Sequence, residues 1–374
     1  MTKNVSVIGA GPSGLMAAEV LAEGGAAVTI HDWMAAPARK FLLAGRGGLN
    51  LTHSEPLDLF LARYGEAQAK LEPAIRAFPP EALTAWANQL GIETFTGTSG
   101  RVFPKQLKAS PLLRAWLRRL DGLGVKLVTR SRWEGFDGTP TILAMGGASW
   151  PHLGSDAQWV PVLRDAGITV HPFKPANSRF LVNWSKIFRD KFGGTPVKNV
   201  ALSYAGHRVR GEIMISHEGI EGGAIYALSK GMREKPGHPL MIDLRPDLKF
   251  EELNERLKRP RGKDSTSNYL RKVAGLSPVG ISLLRETNTA ATAAGLKQVP
   301  VQILRPAGIT RAISSAGGVA LDQVDANFQL IGKPGCYAVG EMLDWEAPTG
   351  GYLLQACFST AVAAARDCLV QLGK

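Results

Sequence analysis

The sequence predicts an α/β protein in which a parallel-sheet domain is assembled from both ends of the chain around a β-rich insert. Three observations carry this expectation. A strand, glycine loop, helix and second strand fill the first 32 residues; a glycine-rich strand-to-helix segment closes the chain from Gly335; and from about Arg179 the residues turn β-branched and alternating.

Val5 to Ile8 is a short apolar run suited to a strand buried on both faces. Gly9-Ala10-Gly11-Pro12-Ser13-Gly14 follows at once, then the helix-forming Leu15 to Leu21, then a second strand from Ala26 to His31 ending at Asp32. This is the order of a Rossmann-like dinucleotide site, and each residue type has a physical task there. Gly9 turns the chain out of the strand, Gly11 lets a pyrophosphate approach backbone N–H groups, and Gly14 lets the helix pack close to the sheet. Pro12 and Ser13 open the helix, whose positive N-terminal end faces the phosphates. Asp32, 18 positions after Gly14, is placed to accept hydrogen bonds from ribose hydroxyls, which disfavours a 2′-phosphate. The motif does not by itself separate FAD from NAD.

Residues 38–53 form a loop with glycines at 45, 47 and 48 and with Arg39, Lys40 and Arg46, a composition that suits wrapping around an anionic ligand. Gly100 to Pro104 reads as a turn into an extended piece, Leu112 to Leu123 as a basic amphipathic helix, and Val125 to Thr129 as a strand. Thr141 to Gly147 is a strand ending in a glycine pair, so Ala144 and Gly146 are expected beside the nucleotide. Beyond it, Ser149 and His152 are within reach of the same place. Val197 to Val209 and Glu212 to His217 are strand candidates. Phe250 to Val273 is polar, rich in cations and helical in tendency; it reads as a solvated helical pair on the surface, and is where RNA binding would be sought if the protein binds RNA.

Composition narrows the class. The chain of 374 residues is 45% hydrophobic and 20% charged, enough for a sizeable core and against bulk disorder. Lys and Arg exceed Asp and Glu by 44 to 32, a formal charge of +12, compatible with nucleic acid, an anionic membrane surface or an acidic ligand. The three cysteines, Cys336, Cys357 and Cys368, contain no CxxC pair. That argues against zinc, iron–sulfur and disulfide frameworks and against a dithiol relay; no metal site is expected. No signal sequence is legible before Val5, and the apolar stretch Leu353 to Val370 is broken by Gln355, Arg366 and Asp367. The expectation is a cytoplasmic protein without a membrane span, of undetermined oligomeric state.

Gly335 to Asp344 reads as a strand entering a Gly-Glu turn, and Ala347-Pro348-Thr349-Gly350-Gly351-Tyr352 leads into the long apolar helix. With Gly9 to Gly14, Arg39 to Thr52, Gly100 to Pro104, Ala144 to Gly154 and Ser314 to Val319, these blocks resemble the BaiN-like bacterial flavoproteins. Those are NAD(P)/FAD-dependent oxidoreductases distantly similar to fumarate reductase flavoproteins. The resemblance implies an FAD domain of residues 1–178 plus 312–374 and an insert at 179–311. The insert would be β-barrel-like over 179–247 and 296–311, with a small helical unit at 248–295. One departure is the loop Gly45-Arg46-Gly47-Gly48-Leu49-Asn50, which lacks the cysteine common in the family.

On this reading non-covalent FAD is held by Gly9, Gly11, Pro12, Ser13, Gly14 and Asp32, and by the loop residues Arg39, Lys40, Gly45, Arg46, Gly47 and Asn50. Ala144 and Gly146 come from the middle of the chain, and Gly340, Glu341, Asp344, Gly350, Gly351 and Tyr352 from its end, the glycine pair facing the flavin edge. Hydride passes between flavin N5 and a small organic substrate; no second GxGxxG occurs, so either NADH or NADPH visits transiently or another reductant serves the flavin. Arg46, Arg101, His152 and His217 are the catalytic candidates. The rivals are a flavin-dependent RNA-modifying enzyme, a non-catalytic flavin sensor and a flavin-free dehydrogenase.

Overall fold

The computed structural model describes residues 3–373, with Arg46 described by its backbone only. It divides into two units, Met1–Lys174 with Ser314–Lys374, and Pro175–Ile313.

The first unit is laid on a five-stranded parallel sheet. Its centre is β1 (Asn4–Ile8), with β2 (Ala27–Asp32) and then Lys126–Thr129 on one side, and Thr141–Leu143 and then Cys336–Ala338 on the other. Val7 pairs in register with Ile30 on one flank and Ile142 on the other, and all three are buried. The strand from residue 336 therefore completes a sheet begun at residue 4, and this joins the two ends of the chain. Helix α1 (Pro12–Glu23) covers the sheet, and the C-terminal helix Tyr352–Gly373 packs against α1. That C-terminal helix is long and apolar enough to cross a membrane, yet most of it is buried among the elements of this unit. In a small antiparallel sheet of Thr52–His53, Arg101–Pro104 and Thr94–Thr96, the middle strand is the extended piece expected after Gly100, whereas the outer two, of two and three residues, carry too little periodicity to be read.

The second unit has its own core, around a six-stranded antiparallel sheet in the order Val299–Gln302, Pro239–Asp243, Thr195–Tyr204, His207–Ser216, Gly219–Glu221 and Phe180–Leu181. Backbone bonds from Leu181 N to Arg305 O and from Leu304 N to Leu181 O, both 2.9 Å, tie the last strand to the chain leaving the first, giving a half-barrel. Four helices, Phe250–Leu257, Thr266–Ala274, Pro278–Glu286 and Ala293–Lys297, are inserted between its strands. Ser265, Ser277 and Thr292 cap the last three with side-chain oxygens. The helical pair expected over 250 to 273 is Phe250–Leu257 and Thr266–Ala274, parted where Pro260 and Gly262 disfavour a continuous helix.

Candidate functional site

The exits of β1 and β2, the start of α1 and the turn after Cys336–Ala338 open onto one cavity. The cleft and the open solvent at its mouth together span about 1040 Å³.

One end of the wall is backbone. Gly9 has φ +101°, and a Cβ there would lie 2.4 Å from the carbonyl oxygen of Ala144, so only glycine makes this turn. Gly14 stands behind the wall; its Cβ would fall 1.8 Å from Gly9 O, which sets how closely α1 approaches the strand. Gly11 is different in kind. It is the N-cap of α1, lines the cavity, and a Cβ added to it would meet nothing within 4 Å. Pro12 occupies the first turn and no side chain caps it. The helix's positive end is therefore presented to the cavity with room for an anion, which fits a pyrophosphate.

At the end of β2, Asp32 accepts from Ala10 N and Met34 N, each at 2.8 Å, which fixes its carboxylate at the rim. Burial pushes its pKa up, against the lowering effect of those two bonds and of Arg39. Trp33, the next residue, also lines the cavity, with the Arg132 guanidinium 4.5 Å over its ring. A ring stacked under a cation is a surface on which a heteroaromatic base can lie. Neither residue was expected from sequence, although Trp33 directly follows the acid.

The far wall is an ion pair. Lys40 Nζ donates to Glu341 Oε2 at 2.7 Å and to Ser149 Oγ at 2.6 Å, while Glu341 Oε1 accepts from Ser315 N at 3.0 Å. The two charged residues are 301 positions apart, and their side chains are only 24% and 10% exposed. Ala144, Gly146, Ser13 and Cys357 also face this space. Burial, with the neighbouring Glu341 carboxylate, pushes the Cys357 thiol up to about 12, and burial likewise raises Cys368 to about 12 and Cys336 in direction. Native protein at neutral pH is therefore expected to resist iodoacetamide at all three cysteines and to be alkylated at all three once denatured; mass spectrometry reads the result.

The other residues singled out in the sequence lie elsewhere. Gly45 packs on Ala109, and Asn50 donates to the carbonyls of Thr52 and Val102, so this part of the loop is tied to the small sheet. Gly47 is exposed. Gly340 lies against Ser13, and Asp344 accepts from Gly317 N and pairs with His171. Gly350 and Gly351 are not on the cavity wall. A Cβ on Gly351 would lie 2.5 Å from the Cα of Thr52, so the glycine admits a close approach between the start of the C-terminal helix and residues 52–55. There Tyr352 donates to Glu55 at 2.5 Å and its ring stacks on His53. Arg101 is in the small sheet paired with His53, His152 is exposed beside Trp150, and His217 is exposed in a turn of the second unit. None of these three lines the cavity, and the Arg46 side chain lies outside the described residues.

A family model described as "HI0933-like protein Rossmann domain" matches residues 3–367. The chain belongs to this family. HI0933-like proteins are FAD-dependent Rossmann flavoproteins. Two relatives align along almost the full length. A 3-dehydro-bile acid delta(4,6)-reductase of Clostridium scindens is 25% identical over 405 residues, covering 97% of this chain and 98% of the relative. A ribosomal RNA dihydrouridine synthase of Escherichia coli is 24% identical over 394 residues, covering 96% of each. The fold is also that of a flavocytochrome c3 fumarate reductase, with a TM-score of 0.52 at 16% identity, covering 99% of this chain and 78% of the other. The HI0933-like chain is accordingly a member of a flavin-dependent oxidoreductase family.

Proposed function

We propose that this protein is an FAD-dependent reductase that saturates a carbon–carbon double bond conjugated to a carbonyl, with NADH or NADPH as the electron source. The observation that carries the reading is the cavity wall itself. An open glycine cradle at a helix start, a fixed carboxylate and a largely buried Lys–Glu pair, drawn from both chain ends, converge on one cavity. Bound FAD would supply a two-electron relay between a nicotinamide donor and the acceptor. The chain's own residues bind and orient it. The amides at the start of α1 take the pyrophosphate, Asp32 the ribose hydroxyls, and Glu341, held by Lys40 and Ser315, the polar chain leading to the flavin.

The two relatives support the choice of reaction. Their named activities, a delta(4,6)-reductase on a 3-dehydro steroid acid and a synthase of dihydrouridine, both saturate a carbon–carbon bond conjugated to a carbonyl. Overall, one NAD(P)H and one proton are consumed for each bond saturated. The acceptor we favour is a small organic molecule. A second reading, uracil within RNA, is favoured by charge placement: of the formal +12, +11 falls on residues 175–313, with 23 basic against 12 acidic residues.

Anaerobic titration of the purified yellow protein tests this. NADPH or NADH should bleach the flavin, and a 3-oxo-4-ene steroid or a uridine-containing RNA should restore the colour while losing its double bond. A flavin that reoxidises only with oxygen or quinone would sink the reaction class. Protein that neither carries nor takes up FAD would sink the whole reading. A narrower check concerns the wall: Lys40→Met strands the Glu341 carboxylate in a buried place. Flavin affinity, by fluorescence titration, should then fall roughly 10- to 100-fold, with Lys40→Arg recovering part of it.

A further inference from the structure

We propose that the exposed basic loop 258–263 of the second unit, together with Arg271 and Lys272, is a phosphate-binding surface for RNA; this rests on the second reading above.

The charge of the chain is segregated. Residues outside 175–313 carry 21 basic and 20 acidic groups and are nearly neutral, although they make up the larger unit. Within 175–313 the acids are largely engaged: Asp190, Glu218, Asp243, Asp247, Glu252, Glu255 and Asp264 each pair with a Lys or Arg of the same unit. The surplus cations repel one another, a cost that a polyanion relieves.

Cations are most concentrated in Lys258-Arg259-Pro260-Arg261-Gly262-Lys263, four in six exposed residues joining the helices Phe250–Leu257 and Thr266–Ala274, of which Lys258 pairs with Glu255. Arg259 and Lys263 have no acidic partner among the described residues. Arg271 and Lys272 are exposed on the last turn of the second helix.

The loop is also held in shape. Tyr269 Oη donates to Leu257 O at 2.5 Å at one end, and Ser265 caps the following helix at the other. Its cations are therefore presented from fixed ends, which lowers the ordering cost of binding. The six residues include no large apolar side chain, which a membrane-surface element needs for insertion; that argues for a soluble polyanion. RNA is the polyanion that matches the cavity chemistry, because uracil carries an unsubstituted double bond conjugated to a carbonyl.

The experiment is fluorescence anisotropy of a labelled single-stranded uridine-containing RNA with flavin-loaded protein across a salt series. The loop variant is Lys258→Gln/Arg259→Gln/Arg261→Gln/Lys263→Gln. A control neutralises four exposed cations of the first unit, Lys105→Gln/Arg114→Gln/Arg118→Gln/Lys126→Gln. The loop variant should bind at least about tenfold more weakly at moderate salt, and its log–log salt slope should shrink by up to about 3, at ~0.7 per lost phosphate contact. The control should stay within about twofold, and both should keep the native flavin spectrum.

If wild-type protein binds RNA and the loop variant matches it in affinity and slope, the surface is misassigned while the RNA reading stands. Equal weakening by the control overturns the surface in the same way. No RNA binding by wild type even at low salt overturns the RNA reading and the surface together, as does binding to phosphatidylserine vesicles without binding to RNA.

Discussion

Gly11→Thr is expected to leave the protein folded and colourless. Threonine and glycine are about equally good N-caps, and the backbone of Gly11, with φ −81° and ψ −178°, is extended and open to any residue. A Cβ there meets no protein atom within 4 Å, so the branch point itself forces no repacking. The side chain projects instead into the space where the α1 amides would meet a pyrophosphate, and its hydroxyl competes for those same amides. Flavin affinity should fall by at least about 100-fold, near 2.7 kcal/mol. The melting temperature of the flavin-free protein should move by no more than about 4 °C. Flavin released on denaturation and a thermal scan of the stripped protein read the two quantities. Full flavin occupancy in the variant would remove the pyrophosphate assignment. Gly14→Ala is the contrasting case: its Cβ has no room against Gly9 O, so fold and cofactor should be lost together.

The largest loss of stability is expected at Glu19, on the face of α1 away from the cavity wall. Its carboxylate is almost fully buried and accepts from Trp86 Nε1 at 3.1 Å, Trp116 Nε1 at 2.5 Å and Arg119 Nη1 at 2.8 Å. Three helices, α1, Pro80–Gln89 and Ala109–Gly122, thus share one acceptor. Glu19→Ala leaves two indole N–H groups and a half-buried guanidinium without it, a cost of about 3–5 kcal/mol. Glu19→Gln keeps an oxygen acceptor and loses the charge, and should cost less than half as much. Urea unfolding of flavin-free protein measures both. Equal midpoints for Glu19→Ala and wild type would show that the cluster contributes nothing net.

How much of this was legible in the sequence depends on the range of the interaction. The β1–α1–β2 unit was readable because its determinants are local: a buried strand, glycines at fixed offsets and a carboxylate at the next strand's end. The change to a β-rich insert was readable from alternation and β-branching, and its antiparallel pairing is seen only in the sheet. The contact of Gly351 and Tyr352 with residues 52–55 went unread, because a close approach between segments about 300 positions apart leaves no local pattern. Trp33 and Arg132 on the cavity wall went unread, since a ring and a cation 99 positions apart leave no periodic mark.

The order of elements, the glycine cradle and the placing of Asp32 follow from the sequence by itself, because neighbours along the chain dictate them. The tertiary structure alone decided that Lys40 meets Glu341 across 301 positions, and which glycines face open space and which face protein. The reason is physical: a parallel sheet sets strands side by side without regard to their separation in sequence, so the contacts that build the cavity exist only after the sheet has closed.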